Sequence, residues 1–206
     1  LMVTLQYNRI PMGTLREHSV SYESYLQDFT SIVEGQSEKT FYDSPYWLDY
    51  TRANYERMQR FGSRFRLNKK LYNLLICIEQ KLTMYCITEP WCGDAAFALP
   101  VLECFAEVNP GLIELRIIYR DTSPEIMNNH LTNGAKAIPK VLITDDAENV
   151  LWTWGPRPST LQNLVKDWLS KGATKEEKLK KTTQWYLKDQ GETIQKDWIE
   201  GIQSLK

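Results

Sequence analysis

Residues 88–96 read Thr-Glu-Pro-Trp-Cys-Gly-Asp-Ala-Ala and lie between an apolar run, 82–87, and a helix-like run, 95–108. The first run predicts a buried strand and the second a helix, so Cys92 falls where a strand ends and a helix begins. Unpaired backbone N–H groups and the positive end of the helix dipole at such a position favour a thiolate. The stretch therefore makes Cys92 the candidate nucleophile.

The composition limits the class of protein. The chain has 206 residues, with 25 basic and 26 acidic side chains and a formal net charge of -1. This length fits one domain with elaborations, and the balanced charge favours neither nucleic acid nor an anionic membrane as a partner. The longest apolar runs reach about ten residues, short of the roughly 20 that span a bilayer, and the first residues lack the apolar stretch expected of a signal peptide. We expect a cytoplasmic protein.

The four cysteines do not form the pattern of a disulfide framework. Three of them, Cys77, Cys86 and Cys104, fall inside apolar periodic runs, where cysteine usually acts as a small buried hydrophobe. Cys104 follows Cys92 on the same predicted helix at a rise of about 18 Å, whereas a disulfide needs Cα atoms roughly 5.5–6 Å apart. We therefore expect four reduced thiols.

The N-terminal part predicts an irregular arm followed by helices. Residues 1–19 show no regular period, whereas 21–35 carry apolar residues at helical spacing and end at a glycine. Ser44 and Pro45 predict the start of a second helix that continues to residue 62. A third helix follows, with an apolar face that begins at Leu71.

The middle of the chain alternates between strand and helix patterns. After the strand and helix around Cys92, the predicted elements are a strand at 112–119, a short helix at 124–131, strands at 139–144 and 149–154, and a helix that ends at Gly172. The strand-helix-strand unit predicts a right-handed parallel crossover, and the two later strands predict an antiparallel hairpin.

The C-terminal segment predicts one long helix. Thr174 and Glu177 have the spacing of a capping box, and an apolar stripe continues to Leu205, interrupted only by Gly191. A helix of up to about 30 residues cannot bury such a stripe on a small sheet alone. We expect it to pack on the N-terminal helices or on another chain, so the sequence leaves open a homo-oligomer formed through the terminal helices.

Two motifs give the sequence a resemblance to the thioredoxin superfamily. Trp91-Cys92-Gly93 follows a predicted strand, and Ala137-Ile138-Pro139 opens the hairpin, with Pro139 placed 47 residues after Cys92. The resemblance implies an α/β, thioredoxin-like three-layer fold with a central mixed sheet of about four strands. The sequence resembles a bacterial thioredoxin-like branch, with a WCGDA motif, rather than thioredoxin itself.

The resemblance also implies a domain organisation. It places an N-terminal arm and helical extension at 1–64, the thioredoxin-like domain at 65–172, and a C-terminal helix that packs on the body at 173–206.

The resemblance implies roles for the residues around Cys92. In the superfamily the proline that matches Pro139 is cis and lies against the nucleophilic sulfur, while the backbone that matches Ile138 pairs with a bound peptide. Trp91 and Gly93 flank the nucleophile. The less favoured alternative is that Pro139 is simply the first residue of an edge strand, since proline cannot donate a ladder hydrogen bond.

The sequence departs from the thioredoxin pattern at two positions. Ala95 stands where dithiol oxidoreductases have the resolving cysteine, and Cys86 stands where thioredoxins have a buried acid that accepts the proton of that cysteine. The two losses are consistent with each other, because a base for an absent thiol has no role. They argue against classical dithiol chemistry.

Asp94 and Arg157 add charge to the predicted groove. Asp94, in the first helical turn, fits a cap better than a catalyst, and its charge opposes a thiolate on Cys92. The helix dipole acts in the other direction, so the sequence does not fix the sign of the shift in the pKa of Cys92. Arg157, in the Gly-Pro-Arg-Pro turn, is a candidate to neutralise Asp94 or to bind an anionic group such as a glutathione-type carboxylate, and a solvated loop arginine is the alternative.

These features favour a monothiol thiol-disulfide exchange protein without cofactor or metal. Cys92 would attack a protein or low-molecular-weight disulfide, and an external thiol would resolve the intermediate. The alternative is a non-catalytic thioredoxin-fold module that binds a peptide or protein, with Ile138 pairing to an extended segment and Cys92 vestigial. A cluster-binding monothiol protein is disfavoured, because monothiol glutaredoxins have no tryptophan before the cysteine.

Overall fold

One mixed sheet organises residues 14–205, the part of the chain that the computed structural model describes. Its strands are β1 (Ser19–Ser21), β2 (Leu82–Thr88), β3 (Ile113–Tyr119), β4 (Lys140–Thr144) and β5 (Val150–Trp154), in the spatial order β1-β3-β2-β4-β5. β2 and β3 are parallel, and the other neighbouring pairs are antiparallel. The sheet thus has one strand more than the four or so expected from the sequence.

Helices account for most of the remaining described residues. They are α1 (Thr14–Glu17), α2 (Tyr22–Val33), α3 (Pro45–Arg64), α4 (Lys69–Ile76), α5 (Ala95–Val108), α6 (Pro124–Asn129), α7 (Ser159–Ser170), α8 (Lys175–Asp189) and α9 (Glu192–Gln203). A 3₁₀ turn covers Thr40–Asp43. No helix within residues 14–205 is long and apolar enough to cross a membrane.

The unit β2-α5-β3 forms the centre of the fold. β2 is buried at all seven positions, as expected for a strand with neighbours on both sides and helices on its faces. Thr83 of β2 pairs with Glu114 of β3 and with Thr144 of β4. The predicted alternation of strands and helices after Leu71 is confirmed in order and type.

The extra strand corrects the prediction of an irregular arm over residues 1–19. Residues 1–13 of that arm lie outside the described residues, but Thr14–Glu17 is helical and β1 pairs with residues 116–118 of β3. Arg116 fixes the pairing, since its guanidinium donates to the hydroxyl of Ser19 at 2.7 Å and to the backbone carbonyl of Ser19 at 3.0 Å. Three residues are too few to show an alternating pattern, and the stabilising contacts come from a distant strand.

The C-terminal segment is two helices rather than the single long helix expected. Gln190 and Gly191 both have positive φ, 54° and 84°, so the helical path stops between α8 and α9. A Cβ atom at Gly191 would lie 2.9 Å from a ring carbon of Phe65. The break lets α9 contact the segment before α4, where the Gln195 side chain accepts from the N–H of Asn68 at 2.7 Å.

Two helices from distant parts of the chain, α3 and α8, both pack on α5. The ring of Phe97 in α5 meets Phe61 of α3 edge-on at 5.2 Å and stacks on Tyr186 of α8 at 4.3 Å. Burial of three aromatic rings supplies a large apolar area and fixes their relative geometry. Both helices are thereby held next to the N-terminus of α5, where Cys92 lies.

Candidate functional site

Cys92 lies at the start of α5, buried to 6% exposure. Its N–H donates to the carbonyl of Glu89 at 2.9 Å, and its own carbonyl accepts from Ala96 at 3.2 Å, so the loop after β2 turns directly into the helix. The sulfur donates to the carbonyl of Ile138 at 3.5 Å. The Ile138-Pro139 peptide bond is cis.

Burial raises the pKa of Cys92 to about 12, and the charge of Asp94 acts in the same direction. The backbone N–H groups of Ala95 and Asp94 and the hydroxyl of Thr88 oppose the shift but do not outweigh it. The helix N-terminus is therefore too weak to make a thiolate here. This raised pKa favours the protonated thiol over the thiolate at neutral pH.

Asp94 forms an ion pair instead of the expected helix cap. Its side chain makes no capping hydrogen bond to α5. Arg157 donates to both carboxylate oxygens, at 2.7 and 3.1 Å, and the Tyr186 hydroxyl donates at 3.1 Å. Burial raises the pKa of Asp94, whereas Arg157 and Tyr186 lower it and favour the charged form. A bidentate arginine pair is the geometry that compensates a buried carboxylate best.

Residues of α3 pack against the loop that carries Cys92. The Tyr50 hydroxyl would lie 2.8 Å from a Cβ atom at Gly93, so only glycine permits this approach. Asn54, fully buried, donates to the carbonyl of Pro90 at 3.4 Å and accepts from Arg57 at 2.6 Å. The loop before Cys92 and the guanidinium of Arg57 are thus tied to one asparagine.

Trp91 is half-buried within an aromatic cluster. Its ring lies 6.1 Å from Trp47 and 6.2 Å from Phe41, and the guanidinium of Arg120 lies 4.6 Å from its centre. Arg120 also pairs with Asp121 at 2.7 Å. This cluster forms one rim of the site.

A cavity of about 340 Å³ opens above Cys92. Trp91, Gly93, Asp94, Ile138 and Arg157 all line it with the cysteine, whereas Pro139 does not. The structure thus brings together five of the six groove residues predicted from the sequence.

The cavity also has walls that the sequence did not indicate. α3 contributes Trp47, Tyr50 and Arg57, and α8 contributes Lys178 and Thr182. Their only signal in the sequence is the helical pattern of each segment, which says nothing about where the helix packs.

The other three cysteines differ in environment, and all four thiols are free. Cys86 is fully buried in β2, and burial raises its pKa strongly. Cys104 is half-buried. Cys77 is exposed, which corrects the expectation that it is a buried hydrophobe, because it lies at the C-terminal end of α4 rather than on its apolar face. Within residues 14–205, no group of three or more His, Cys, Asp and Glu side chains could hold a metal ion.

Comparison with solved structures gives the same fold. A protein of unknown function from Pseudomonas aeruginosa is 22% identical, with a TM-score of 0.56 over 91% of this chain and 99% of that one. An HIV epitope-scaffold is also 22% identical, with a TM-score of 0.54 over 90% of this chain and 99% of that one. Identity this low establishes a shared fold and nothing about activity. No curated protein matches the chain.

Comparison with family models identifies the family. A model described as "Thioredoxin" matches residues 41–179, more than half of the chain. The match includes α3, the loop that carries Cys92, the whole of β2 to β5 and the start of α8. The chain therefore belongs to the thioredoxin family.

Proposed function

We propose that this protein carries out thiol-disulfide exchange through a single nucleophilic cysteine, Cys92, which an external thiol resolves. The observation that supports the proposal best is the position of its sulfur. It lies below a cavity at the N-terminus of α5, against the Ile138 carbonyl, and the neighbouring position in the helical turn is Ala95. An incoming disulfide can meet this sulfur, and no second thiol in that turn can compete for the adduct.

The proposed reaction has two exchange steps. Cys92 loses its proton, and the thiolate attacks one sulfur of a disulfide R–S–S–R. The old S–S bond breaks, a bond between Cys92 and one R–S group forms, and the other sulfur leaves as RS⁻ and takes up a proton. A second thiolate, R'S⁻, then attacks the R–S sulfur of the adduct, and R–S–S–R' leaves. The displaced Cys92 thiolate takes up a proton, so the protein returns to its starting state and the external thiol is the group that is oxidised.

The raised pKa of Cys92 makes the first step depend on how the thiol is deprotonated. Exchange rates follow the thiolate fraction, which falls tenfold for each pKa unit above the ambient pH. We therefore expect slow exchange at neutral pH unless the bound substrate changes the environment of the sulfur.

The burial and raised pKa of Cys92 support a second candidate function, a non-catalytic module that binds its partner in the cavity. A buried, protonated cysteine is usually inert. In that case Ile138 and the aromatic rim bind an extended segment, and Cys92 contributes packing only.

Incubation with oxidised glutathione followed by intact-mass analysis separates the two candidates. The experiment uses the Cys77→Ser variant, because exposed Cys77 could form an adduct of its own. We expect one glutathione adduct at pH 8, located on Cys92 by peptide mapping and absent from the Cys77→Ser/Cys92→Ser control. If Cys92 forms no adduct with oxidised glutathione or with the neutral 2-hydroxyethyl disulfide while the protein stays folded, the exchange function is wrong and the binding module remains.

A further inference from the structure

The charge of the cavity is far from balanced. Of the residues in the range 14–205, six basic side chains line it, and Asp94 is the only acidic one among them. Asp94 is neutralised by Arg157, and Arg120 is paired with Asp121. The four cations that remain are Arg57, Lys136, Lys175 and Lys178.

None of these four cations forms an ion pair with another residue in the range 14–205. The residues outside that range, 1–13 and 206, contain no aspartate or glutamate. Within residues 14–205 the four cations therefore lack a direct carboxylate partner, although the charge of Lys178 acts on Asp94 at longer range. Converging positive charge in a concave site attracts an anion, because field lines concentrate there.

Two polar side chains that line the cavity, Arg57 and Thr182, are suited to bind a ligand. Asn54, itself fully buried, accepts from Arg57 at 2.6 Å, so the guanidinium keeps its direction while its other N–H groups stay available. Thr182, at 7% exposure, has a buried hydroxyl without a hydrogen-bond partner among the described residues, although it lines the cavity. A buried hydroxyl without a partner is costly, and a ligand oxygen would supply the missing bond.

The shape of the cavity favours a small ligand. Its volume of about 340 Å³ lies in the range of small-molecule sites. Tyr46, Trp47 and Tyr50 of α3 border it, and Lys178, Leu179 and Thr182 of α8 also line it. Residues of both α3 and α8 therefore border the cavity that Ile138 lines.

We infer that this cavity binds a low-molecular-weight thiol or disulfide that carries at least two carboxylates. The inference rests on the proposed function, and it names the substrate class of the same site. The sulfur of the ligand lies at Cys92, its carboxylates pair with Arg57 and the lysines of α8, and its apolar part lies on the Trp47 and Tyr50 rings.

A probe without a reactive sulfur tests the binding apart from the chemistry. S-methylglutathione has two carboxylates and no free thiol, so calorimetry with the full-length protein measures recognition alone. We expect saturable one-to-one binding that weakens as sodium chloride is added, because salt screens the ion pairs. The diethyl ester of the same probe, which lacks both negative charges, binds at least about tenfold more weakly.

Matched variants locate the site. Arg57→Gln and Lys178→Gln each weaken binding of S-methylglutathione by about tenfold or more, the loss expected for one charged hydrogen bond. Arg60→Gln and Lys180→Gln remove a cation from the same two helices at positions that do not line the cavity, and they leave the affinity unchanged. If Arg57→Gln impairs folding, shown by circular dichroism, Lys178→Gln and Lys180→Gln suffice as a pair.

The outcomes that overturn the inference are distinct from those that overturn the exchange function. Absence of S-methylglutathione binding, equal binding by Lys178→Gln and Lys180→Gln, or tighter binding of a glutamate-rich extended peptide rejects a small acidic ligand. The exchange function survives these results if Cys92 still forms an adduct with the neutral 2-hydroxyethyl disulfide. Binding of S-methylglutathione without any adduct on Cys92 supports the acidic-ligand site and rejects the exchange function.

Discussion

Asp94 and Cys92 are two residues apart in sequence, and the charge of Asp94 affects the pKa of the Cys92 thiol. Burial raises the pKa of Asp94, and the Arg157 guanidinium, 2.7 Å from the carboxylate, opposes that rise and offsets part of the carboxylate's field. The remaining negative field of Asp94 acts together with burial to raise the pKa of Cys92. Burial is thus the main reason that the pKa of Cys92 is raised, and the charge of Asp94 adds to it.

We predict that Asp94→Asn makes Cys92 more reactive. The substitution removes the negative charge and leaves the positive charge of Arg157 uncompensated, so both changes lower the pKa of the thiol. Each unit of that decrease raises the thiolate fraction below the pKa about tenfold. Iodoacetamide alkylation of Cys92, followed by mass spectrometry in the Cys77→Ser background, should be several-fold faster between pH 7 and 9.

The pH profile provides the control for this prediction. In the parent protein the alkylation rate should rise about tenfold per pH unit up to pH 10 without a plateau, because the pKa is about 12. In Asp94→Asn the plateau should begin at lower pH. A slower rate or an unchanged profile would show that Asp94 does not repel the thiolate.

At the scale of single elements, the first turn of α5 determines whether a second thiol could resolve the adduct. The hydrogen bond from Ala96 to the Cys92 carbonyl shows that residues 92–96 already follow a helical path. In such a turn, side chains three positions apart lie about 5–6 Å from each other, close to disulfide geometry.

We predict that Ala95→Cys forms a disulfide with Cys92 on oxidation and confers weak reduction of insulin disulfides. The activity should be partial, because the position of the proton acceptor implied by the thioredoxin resemblance is occupied by buried Cys86. Thiol titration and the turbidity of reduced insulin are the measurements. Ala98→Cys, six residues after Cys92 and equally buried, is the matched control and should form no bridge.

The elements that the sequence predicted correctly are those whose signal is local. The apolar run of β2, the helical period of α5 and the β4-β5 hairpin each identify their element without reference to the rest of the chain. β1 was missed because its strand character comes from pairing with β3. The break after α8 was missed because one glycine inside a long helical pattern is a weak stop signal, although Gly191 was the correct position.

At the scale of the whole molecule, the site depends on contacts between distant parts of the chain. Tyr186 binds Asp94 across 92 residues, and Arg157 reaches it across 63. The sequence indicated that Asp94 and Arg157 share a groove only through the resemblance to thioredoxin. Nothing in it indicated that α3 and α8 would cover that groove, because amphipathic patterns show that a helix packs but not on what.

The reversal of the chain at Gly191 connects these contacts, since it lets α8 cover the site while α9 packs near α4. We predict that Gly191→Ala destabilises the protein more than Gly172→Ala does. Both glycines have positive φ, 84° and 81°. Backbone strain should therefore lower the free energy of unfolding of both variants by about 1–2 kcal/mol. Only at position 191 would the new methyl group meet another side chain, the Phe65 ring at 2.9 Å, which adds about 1–3 kcal/mol of overpacking.

Urea unfolding of the two variants measures the difference directly. If Gly191→Ala also displaces α8, Tyr186 moves away from Asp94 and water reaches the cavity, so alkylation of Cys92 should become faster in this variant but not in Gly172→Ala. Faster alkylation would follow from the loss of burial, which is the main cause of the raised pKa of Cys92. Equal unfolding free energies for the two variants would mean that the Phe65 ring yields without cost and that the reversal is not fixed by this contact.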